Sequence, residues 1–177
     1  MDNIWKSGMY GLIVADAMGV PVEFSSREDR KLDPVTDMRG YGTYSQPEGT
    51  WSDDSSMAIA TLVSIRDNGK IDYKDIMDRF HDWCMNGDYT PFDEVFDIGI
   101  ATSRAIMKYS TGADPLQSGG ETEWDNGNGS LMRILPVCLY LFEQQKSLNI
   151  SDDEVIDIVH NCSALTHAHI RSQLACG

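Results

Sequence analysis

The sequence predicts an all-α fold, and three observations support this prediction. Apolar residues recur at helical spacing through most of the chain, and no segment alternates apolar and polar residues convincingly, as a half-buried strand does. Ser151-Asp152-Asp153-Glu154 has the pattern of a capping box, in which serine and glutamate satisfy backbone N–H groups at a helix start. With 177 residues and no internal repeat, the chain is predicted to form a single domain, 1–177.

In the first half of the chain, two predicted helices lie on either side of a long loop. The helix over 4–19 carries glycine and alanine on one stripe, which would let another backbone approach closely. Residues 25–50 lack periodicity and contain turn signals, so they predict an irregular loop of a length that is often functional. The second helix is predicted from Ser52 to about Asp67.

The second half is predicted to be helical apart from a loop over 110–130 that is rich in Gly, Ser and Asp. Pro136 would kink or break the helix in which it lies. The helices predicted here are one from an Asp72 cap to about Met85, one over about 93–109, one from near Ser130, one from Ser151, and one still in progress over 166–176.

Charge and cysteine content narrow the classes of partner. The net charge of −14 opposes binding to nucleic acid or to an anionic membrane, and it suits either a cation-binding protein or simple solubility. No apolar run is long enough to cross a bilayer. None of the four cysteines forms a C-x-x-C pair, so we expect reduced, buried thiols in a cytoplasmic protein.

The most informative stretch is Gly49-Thr50-Trp51-Ser52-Asp53-Asp54-Ser55-Ser56. A hydroxyl and two carboxylates at a helix start are hard oxygen ligands of the kind that Mg²⁺, Mn²⁺ or Ca²⁺ prefers. The same residues also make an ordinary N-cap, with Asp53 and Asp54 favourable at the positive end of the helix dipole. Taken alone, the stretch favours the cap.

Three further groups of residues are candidates for binding or catalysis. Glu23 lies between Val22 and Phe24, where a carboxylate needs a partner, which is a metal, an arginine (Arg27 or Arg39) or a backbone N–H. The segment 125–133 holds two glycines before a helix start, which suits an anion-binding loop or an ordinary turn, and its spacing excludes an EF-hand. His167 and His169 are two residues apart, so their rings face different sides of a helix. This spacing argues against a zinc site.

The order of these motifs resembles the N-terminal part of the ADP-ribosylglycohydrolase family. The resemblance extends over nearly the whole chain, and all four motifs occur in order. They are Ala15-Asp16-Ala17-Met18-Gly19-Val20-Pro21-Val22-Glu23-Phe24, Gly49-Thr50-Trp51-Ser52-Asp53-Asp54-Ser55, Asn128-Gly129-Ser130-Leu131-Met132-Arg133-Ile134-Leu135-Pro136 and Leu165-Thr166-His167.

The resemblance implies an orthogonal multi-helix bundle with two divalent ions, Mg²⁺ or Mn²⁺, in a cleft. By matching position, the metal ligands are Ser52, Asp53 and Asp54, and the catalytic carboxylates are Glu23, which lies among or beside those ligands, and Asp125, near the scissile ribose. The residues that resemble the substrate-binding set are Asn128, Gly129 and Ser130 at the phosphates and ribose, and His167 at the diphosphate and adenosine side.

The implied activity is metal-dependent release of ADP-ribose from an ADP-ribosylated protein or small molecule. Family members continue beyond the point that matches Gly177 and carry a second acidic cluster of the type Asp-x-Asp-Thr, which this sequence lacks. We therefore expect the C-terminal part of the fold to be absent, or to come from a second polypeptide. The alternatives are a non-catalytic ADP-ribose-binding or interaction module and a metal-dependent phosphohydrolase that acts on another nucleotide-like substrate.

Overall fold

The computed structural model describes residues 4–148 and 150–177, and within these ranges the chain forms eight α-helices and no β-strand. The all-α prediction is therefore confirmed. One isolated parallel bridge joins Gly120 and His167. The helices are α1 Ile4–Gly19, α2 Arg27–Leu32, α3 Asp53–Asn68, α4 Tyr73–Asn86, α5 Ile100–Ser110, α6 Leu135–Leu148, α7 Asp152–Ala164 and α8 Ile170–Cys176.

The larger apolar core lies between α3, α4 and α5. Helix α4 is bounded by local signals, because the Asp72 side chain accepts from Asp75 N at 3.1 Å and Gly87 ends the helix with φ +76°. Such a left-handed residue is the usual end of a helix. The buried residues of this core are Met57, Ala60, Ile76, Met77, Phe80, Trp83, Ile106 and Leu165.

A second core joins α6 to α7. It consists of Ile134, Val137, Leu141, Val159 and Cys162. The start of α7 has the predicted capping box, since Ser151 Oγ accepts from Glu154 N at 3.3 Å and the Glu154 carboxylate accepts from Ser151 N at 2.8 Å.

Helix α1 packs against α3 and α6 and buries only Met9 and Ala17 among its residues. The close approach predicted for its small residues occurs at Gly8, where an added Cβ would lie 3.3 Å from Leu139 Cδ1. Gly11 and Gly19 have no such neighbour within 4 Å. The small-residue stripe therefore contacts another helix at one position rather than along its length.

The structure corrects two of the predicted loop boundaries. Helix α2, capped by the Ser26 side chain, lies inside the segment that was expected to be irregular. The helix predicted over 93–109 begins only at Ile100. Its first part is not helical because Asp93 and Asp97 have φ of +55° and +59°, outside the right-handed helical region.

The predicted helix start near Ser130 and the start of the last helix are also wrong. Helix α6 begins at Leu135, so Pro136 lies in the first turn, where its missing N–H breaks no helical bond and causes no kink. Helix α8 begins at Ile170 rather than at 166, because His169 is its N-cap and accepts from Arg171 N at 3.3 Å.

All four cysteines are free, as predicted, but Cys162 alone is buried and Cys138 is exposed. No helix in the two described ranges combines the length and hydrophobicity needed to span a membrane. The cytoplasmic location stays a prediction.

Candidate active site

An acidic cavity of about 750 Å³ opens between the end of α1, the start of α3 and the segment before α5. Its described lining includes no Lys, Arg or His, so the negative charge is not offset by a basic side chain in the wall. Asn128 and Met132 also line this cavity. The carboxylates in its wall are Asp16, Glu23, Asp53, Asp54 and Asp97.

Asp16 joins α1 to the first turn of α3. Its Oδ2 accepts from Ser52 N at 3.0 Å, from Ser55 N at 3.1 Å and from Ser55 Oγ at 2.6 Å, and its Oδ1 accepts from Ser52 Oγ at 2.8 Å. The first N–H groups of a helix have no partner within the helix, and a negative charge there is favourable. Asp16 therefore caps α3 from a different helix and fixes the position of the Ser52 hydroxyl.

Ser52, Asp53 and Asp54 form the start of α3 within the cavity wall. Ser52 is the N-cap and accepts from Asp54 N at 3.3 Å, and the side chains of Ser52 and Asp53 are buried. Burial, and next the charge of Asp54, raise the pKa of Asp53 to about 8. Burial, and then the charges of Asp16 and Asp97, raise the pKa of Asp54 to about 6.

Glu23 lines the same cavity, just after the 3₁₀ turn Val20–Val22 that follows α1. Burial raises the pKa of Glu23 to about 7, with further contributions from a hydrogen bond to Asp97 and from the negative charge of Asp97. The Tyr44 hydroxyl donates to Asp97 Oδ1. Burial and the neighbouring Asp97 raise the pKa of Tyr44 above its ordinary value, so the phenol stays protonated as a donor.

The loop that carries Tyr44 is held against the turn before Glu23. Thr43 N donates to Pro21 O at 3.1 Å, and Thr43 Oγ1 donates to Glu23 O at 2.7 Å. At Gly42 an added Cβ would lie 1.7 Å from Pro21 O, so only glycine permits this approach. The long loop between α2 and α3 therefore positions a wall of the cavity.

The predicted substrate-binding residues do not all line the cavity. Asn128 lines the cavity, whereas Ser130 is fully buried and its hydroxyl lies 2.8 Å from Ser163 Oγ. Asp125 is not part of the cavity wall; its Oδ2 accepts from Thr122 N at 3.2 Å and Thr122 Oγ1 at 2.6 Å. Those hydrogen bonds hold the pKa of Asp125 below its usual range.

His167 packs against the segment 127–129. Its side chain is buried, and its Nδ1 is 2.9 Å from Thr166 Oγ1. An added Cβ at Gly129 would lie 2.6 Å from His167 Cε1, so glycine allows the imidazole to sit directly against this loop. Burial, and next the charge of Arg133, lower the pKa of His167 to about 4.

A comparison with protein families finds that residues 5–177 match the ADP-ribosylglycohydrolase model. The chain belongs to the ADP-ribosylglycohydrolase family. It is 33% identical over 76% of its length to the ADP-ribosylarginine hydrolase Tri1 of Pseudomonas putida (strain GB-1), and 30% identical over 89% to that of Serratia proteamaculans (strain 568). It is 29% identical over 94% of its length to the ADP-ribosyl-[dinitrogen reductase] glycohydrolase of Rhodospirillum rubrum.

These alignments cover 35%, 42% and 52% of the three relatives. The chain therefore spans about a third to a half of the length of the curated relatives it matches.

The cavity can be tested against the divalent ions that the family resemblance implies. A buried hydroxyl beside crowded carboxylates, two of them with raised pKa values, is a donor set suited to a hard cation. Within residues 4–148 and 150–177, however, no group of three or more His, Cys, Asp or Glu side chains is arranged to hold a metal. The donor chemistry fits Mg²⁺ or Mn²⁺, although the described residues include no such group of three.

Sequence reasoning missed three residues of this site: Asp16, Tyr44 and Asp97. Asp16 lies within a family motif, but its partners are 36 and 39 residues away, so no local spacing pointed to its role. Tyr44 and Asp97 lie in irregular segments and are separated by 53 residues. Neither carries a motif that would have distinguished it from other loop residues.

Proposed function

We propose that this chain provides one part of the active site of a metal-dependent hydrolase that removes ADP-ribose from an ADP-ribosylated substrate. The observation that carries the proposal is the acidic cavity whose wall brings together Glu23, the Ser52-Asp53-Asp54 start of α3 and Asn128. Membership of the ADP-ribosylglycohydrolase family supports hydrolytic removal of ADP-ribose. The metal, the substrate and the residue roles are parts of the proposal.

Ser52, Asp53 and Asp54 are the residues that would hold Mg²⁺ or Mn²⁺. When bound, such ions supply Lewis-acid polarisation of ribose oxygens. Asp16 contributes by holding the Ser52 hydroxyl and the first turn of α3 in place. A bound cation would stabilise the charged form of the carboxylates that crowd this site.

Glu23 is the proposed proton carrier of the reaction. In hydrolysis, water oxygen bonds to the anomeric carbon as the bond from that carbon to the leaving group breaks, and one water proton is passed to the leaving group. A carboxyl group with a pKa of about 7 can accept and return a proton near neutral pH. Asp97 and Tyr44 hold the Glu23 side chain in this state.

The proposed leaving group is a guanidine nitrogen of arginine. Two matched relatives are named ADP-ribosylarginine hydrolase. A wall with five carboxylates and no basic side chain is complementary to the positive charge of a guanidinium group. The dinitrogen reductase relative indicates that the substrate of such an enzyme can be a protein.

The proposal is tested by removing the two carboxylates at the start of α3. In the double variant Asp53→Asn with Asp54→Asn, we expect Mn²⁺ binding, measured by titration calorimetry, to be lost. The matched control is Asp152→Asn with Asp153→Asn, which removes the same charge at the exposed start of α7. Equal Mn²⁺ binding by the two double variants would refute the metal assignment.

Activity is measured as release of ADP-ribose from an ADP-ribosylated arginine peptide. The chain is assayed with Mn²⁺ alone and together with the C-terminal portion of a matched relative, because a hard ion depends on ligand number and geometry. We expect release only where the added portion completes the site, and no release from the Asp53→Asn with Asp54→Asn variant.

A second candidate function is a non-catalytic ADP-ribose-binding module. The incomplete set of converging ligands among the described residues favours it. This candidate predicts that the chain binds ADP-ribose equally well with Mn²⁺ and with a chelator, and that no added polypeptide produces turnover. Chelator-sensitive binding would exclude it.

A further inference from the structure

Arg133 is a buried cation without a carboxylate partner among the described residues. Its side chain is 1% exposed, its Nη2 donates to Cys162 O at 3.1 Å and Thr166 Oγ1 at 2.7 Å, and its guanidinium lies 4.7 Å from the Phe80 ring centroid. Its Nε has no hydrogen-bond partner. A buried charge of this kind is unfavourable for stability by itself, so the groups that contact the guanidinium must offset part of its cost.

The Thr166 hydroxyl connects Arg133 to His167. Since Arg133 can only donate, Thr166 Oγ1 accepts that bond, and its own proton needs a different acceptor. His167 Nδ1 lies 2.9 Å from Thr166 Oγ1, within reach of this proton when the ring carries its own proton on Nε2. A neutral imidazole that accepts at Nδ1 carries its proton on Nε2.

The charges around His167 favour this neutral ring. Burial, and next the charge of Arg133, lower the pKa of His167 to about 4, and Asp125 opposes them with a smaller effect. Charge repulsion from Arg133 and the hydrogen bond from Thr166 therefore act in the same direction. Both disfavour a proton on Nδ1.

The Nε2 edge of the ring faces the loop at 127–129. The positions that a Cβ would occupy at Gly129 and Gly127 lie 3.1 and 3.7 Å from His167 Nε2. Asn128, between these glycines, lines the acidic cavity. An N–H at this edge is therefore directed at the loop 127–129, which also contributes Asn128 to the cavity wall.

We propose that Arg133 and Thr166 are positioning residues that keep the proton of His167 on Nε2, so that His167 donates to an anionic group of a ligand held at the 127–129 loop. The identity of that group as the diphosphate of ADP-ribose rests on the proposed function. The tautomer part of the proposal does not, because it is argued from the contacts of Thr166 with Arg133 and His167 within the chain.

The tautomer is measured by ¹⁵N NMR of the imidazole in the whole chain at pH 7. We expect His167 to be neutral with the proton on Nε2. Thr166→Val removes the hydroxyl at nearly constant volume, so we expect a mixture of the two tautomers, whereas Thr166→Ser restores the wild-type spectrum. Arg133→Met should raise the pKa of His167; if that variant does not fold, the two Thr166 variants carry the test.

An imidazolium or an Nδ1–H tautomer in the wild-type chain would overturn the inference, as would a Thr166→Val spectrum identical to that of the wild type. The ligand part is tested by titration with ADP-ribose of the chain together with the C-terminal portion of a matched relative, as in the activity assay. We expect Thr166→Val to bind about tenfold more weakly, or about 1.4 kcal/mol, and Thr166→Ser to recover the affinity.

Undiminished binding by Thr166→Val would overturn the role of His167 toward the ligand. A wild-type chain that shows the Nε2–H tautomer but binds no ADP-ribose would refute the proposed function while leaving the positioning by Arg133 and Thr166 intact. The two failures are therefore distinguishable.

Discussion

Replacement of Asp16 by alanine tests how the first turn of α3 is held in the cavity wall. The carboxylate accepts four hydrogen bonds, two from backbone N–H groups and two from the hydroxyls of Ser52 and Ser55. A hydrogen bond to a charged group contributes about 1.5–3 kcal/mol, but the four share one acceptor and are not additive. Because water can enter from the cavity and satisfy some donors, we expect Asp16→Ala to lower the free energy of unfolding by about 3 kcal/mol.

The matched control is Asp72→Ala. Asp72 caps α4 with one bond, to Asp75 N at 3.1 Å. Loss of an ordinary N-cap lowers the free energy of unfolding by about 1 kcal/mol. The two variants therefore differ by about 2 kcal/mol, or about 1 M in the urea midpoint for a slope near 2 kcal/mol/M.

The assay is equilibrium urea unfolding followed by far-UV circular dichroism, with the slope compared between variants. A slope that stays constant shows that the change lies in stability rather than in the compactness of either state. Equal midpoints for Asp16→Ala and Asp72→Ala would refute the conclusion that α3 is capped from α1.

Two further predictions concern the protonation of the cavity and its packing. The raised pKa values of Asp53, Asp54 and Glu23 mean that the folded chain binds more protons than the unfolded chain between about pH 4 and pH 8, so without divalent ions the free energy of unfolding should fall as pH rises through this window. Urea midpoints in chelator at pH 5 and pH 8 measure this, and a flat profile would contradict it. Gly42→Ala places a Cβ against Pro21 O and should lower the free energy of unfolding by about 3 kcal/mol, whereas Gly11→Ala, with open space around it, should raise it by about 0.5–1 kcal/mol. Equal urea midpoints for the two alanine variants would contradict the packing of Gly42 on Pro21.

The sequence predicted those elements whose boundaries depend on local signals. Helices α3 and α4 begin at side-chain caps that can be read within a few residues, and both were located within about two residues of their positions. The predicted helix over 93–109 failed in its first part because the backbone there follows distant contacts. An added Cβ at Gly87 would lie 2.4 Å from Asp93 O, and Tyr44 holds Asp97 from 53 residues away.

The candidate site shows the same division. Residues 52–54 carry a local pattern, so the sequence identified them, although the pattern alone could not distinguish a cap from a metal ligand. In the structure Ser52 is the cap of α3 and also faces the cavity. The link from Arg133 through Thr166 to His167 could not be read from spacing, because it joins positions 33 residues apart across a packed interface.

The two unusual features of the molecule, the acidic cavity and the buried Arg133, have opposite charge. In the cavity, carboxylates repel one another and their pKa values rise, so the cavity becomes less strained when it takes up either protons or a cation. The buried Arg133 has no counterion among the described residues, and its charge and hydrogen bond act on His167. A ligand that carries an anionic diphosphate and a sugar bound by a divalent cation would offset both imbalances at once, since its negative part would face the donors at the loop and its sugar the acidic wall. Under the proposed function, a ligand of the ADP-ribose type suits this charge distribution better than a simple cation or a simple anion, because either alone would neutralise only one of the two charges.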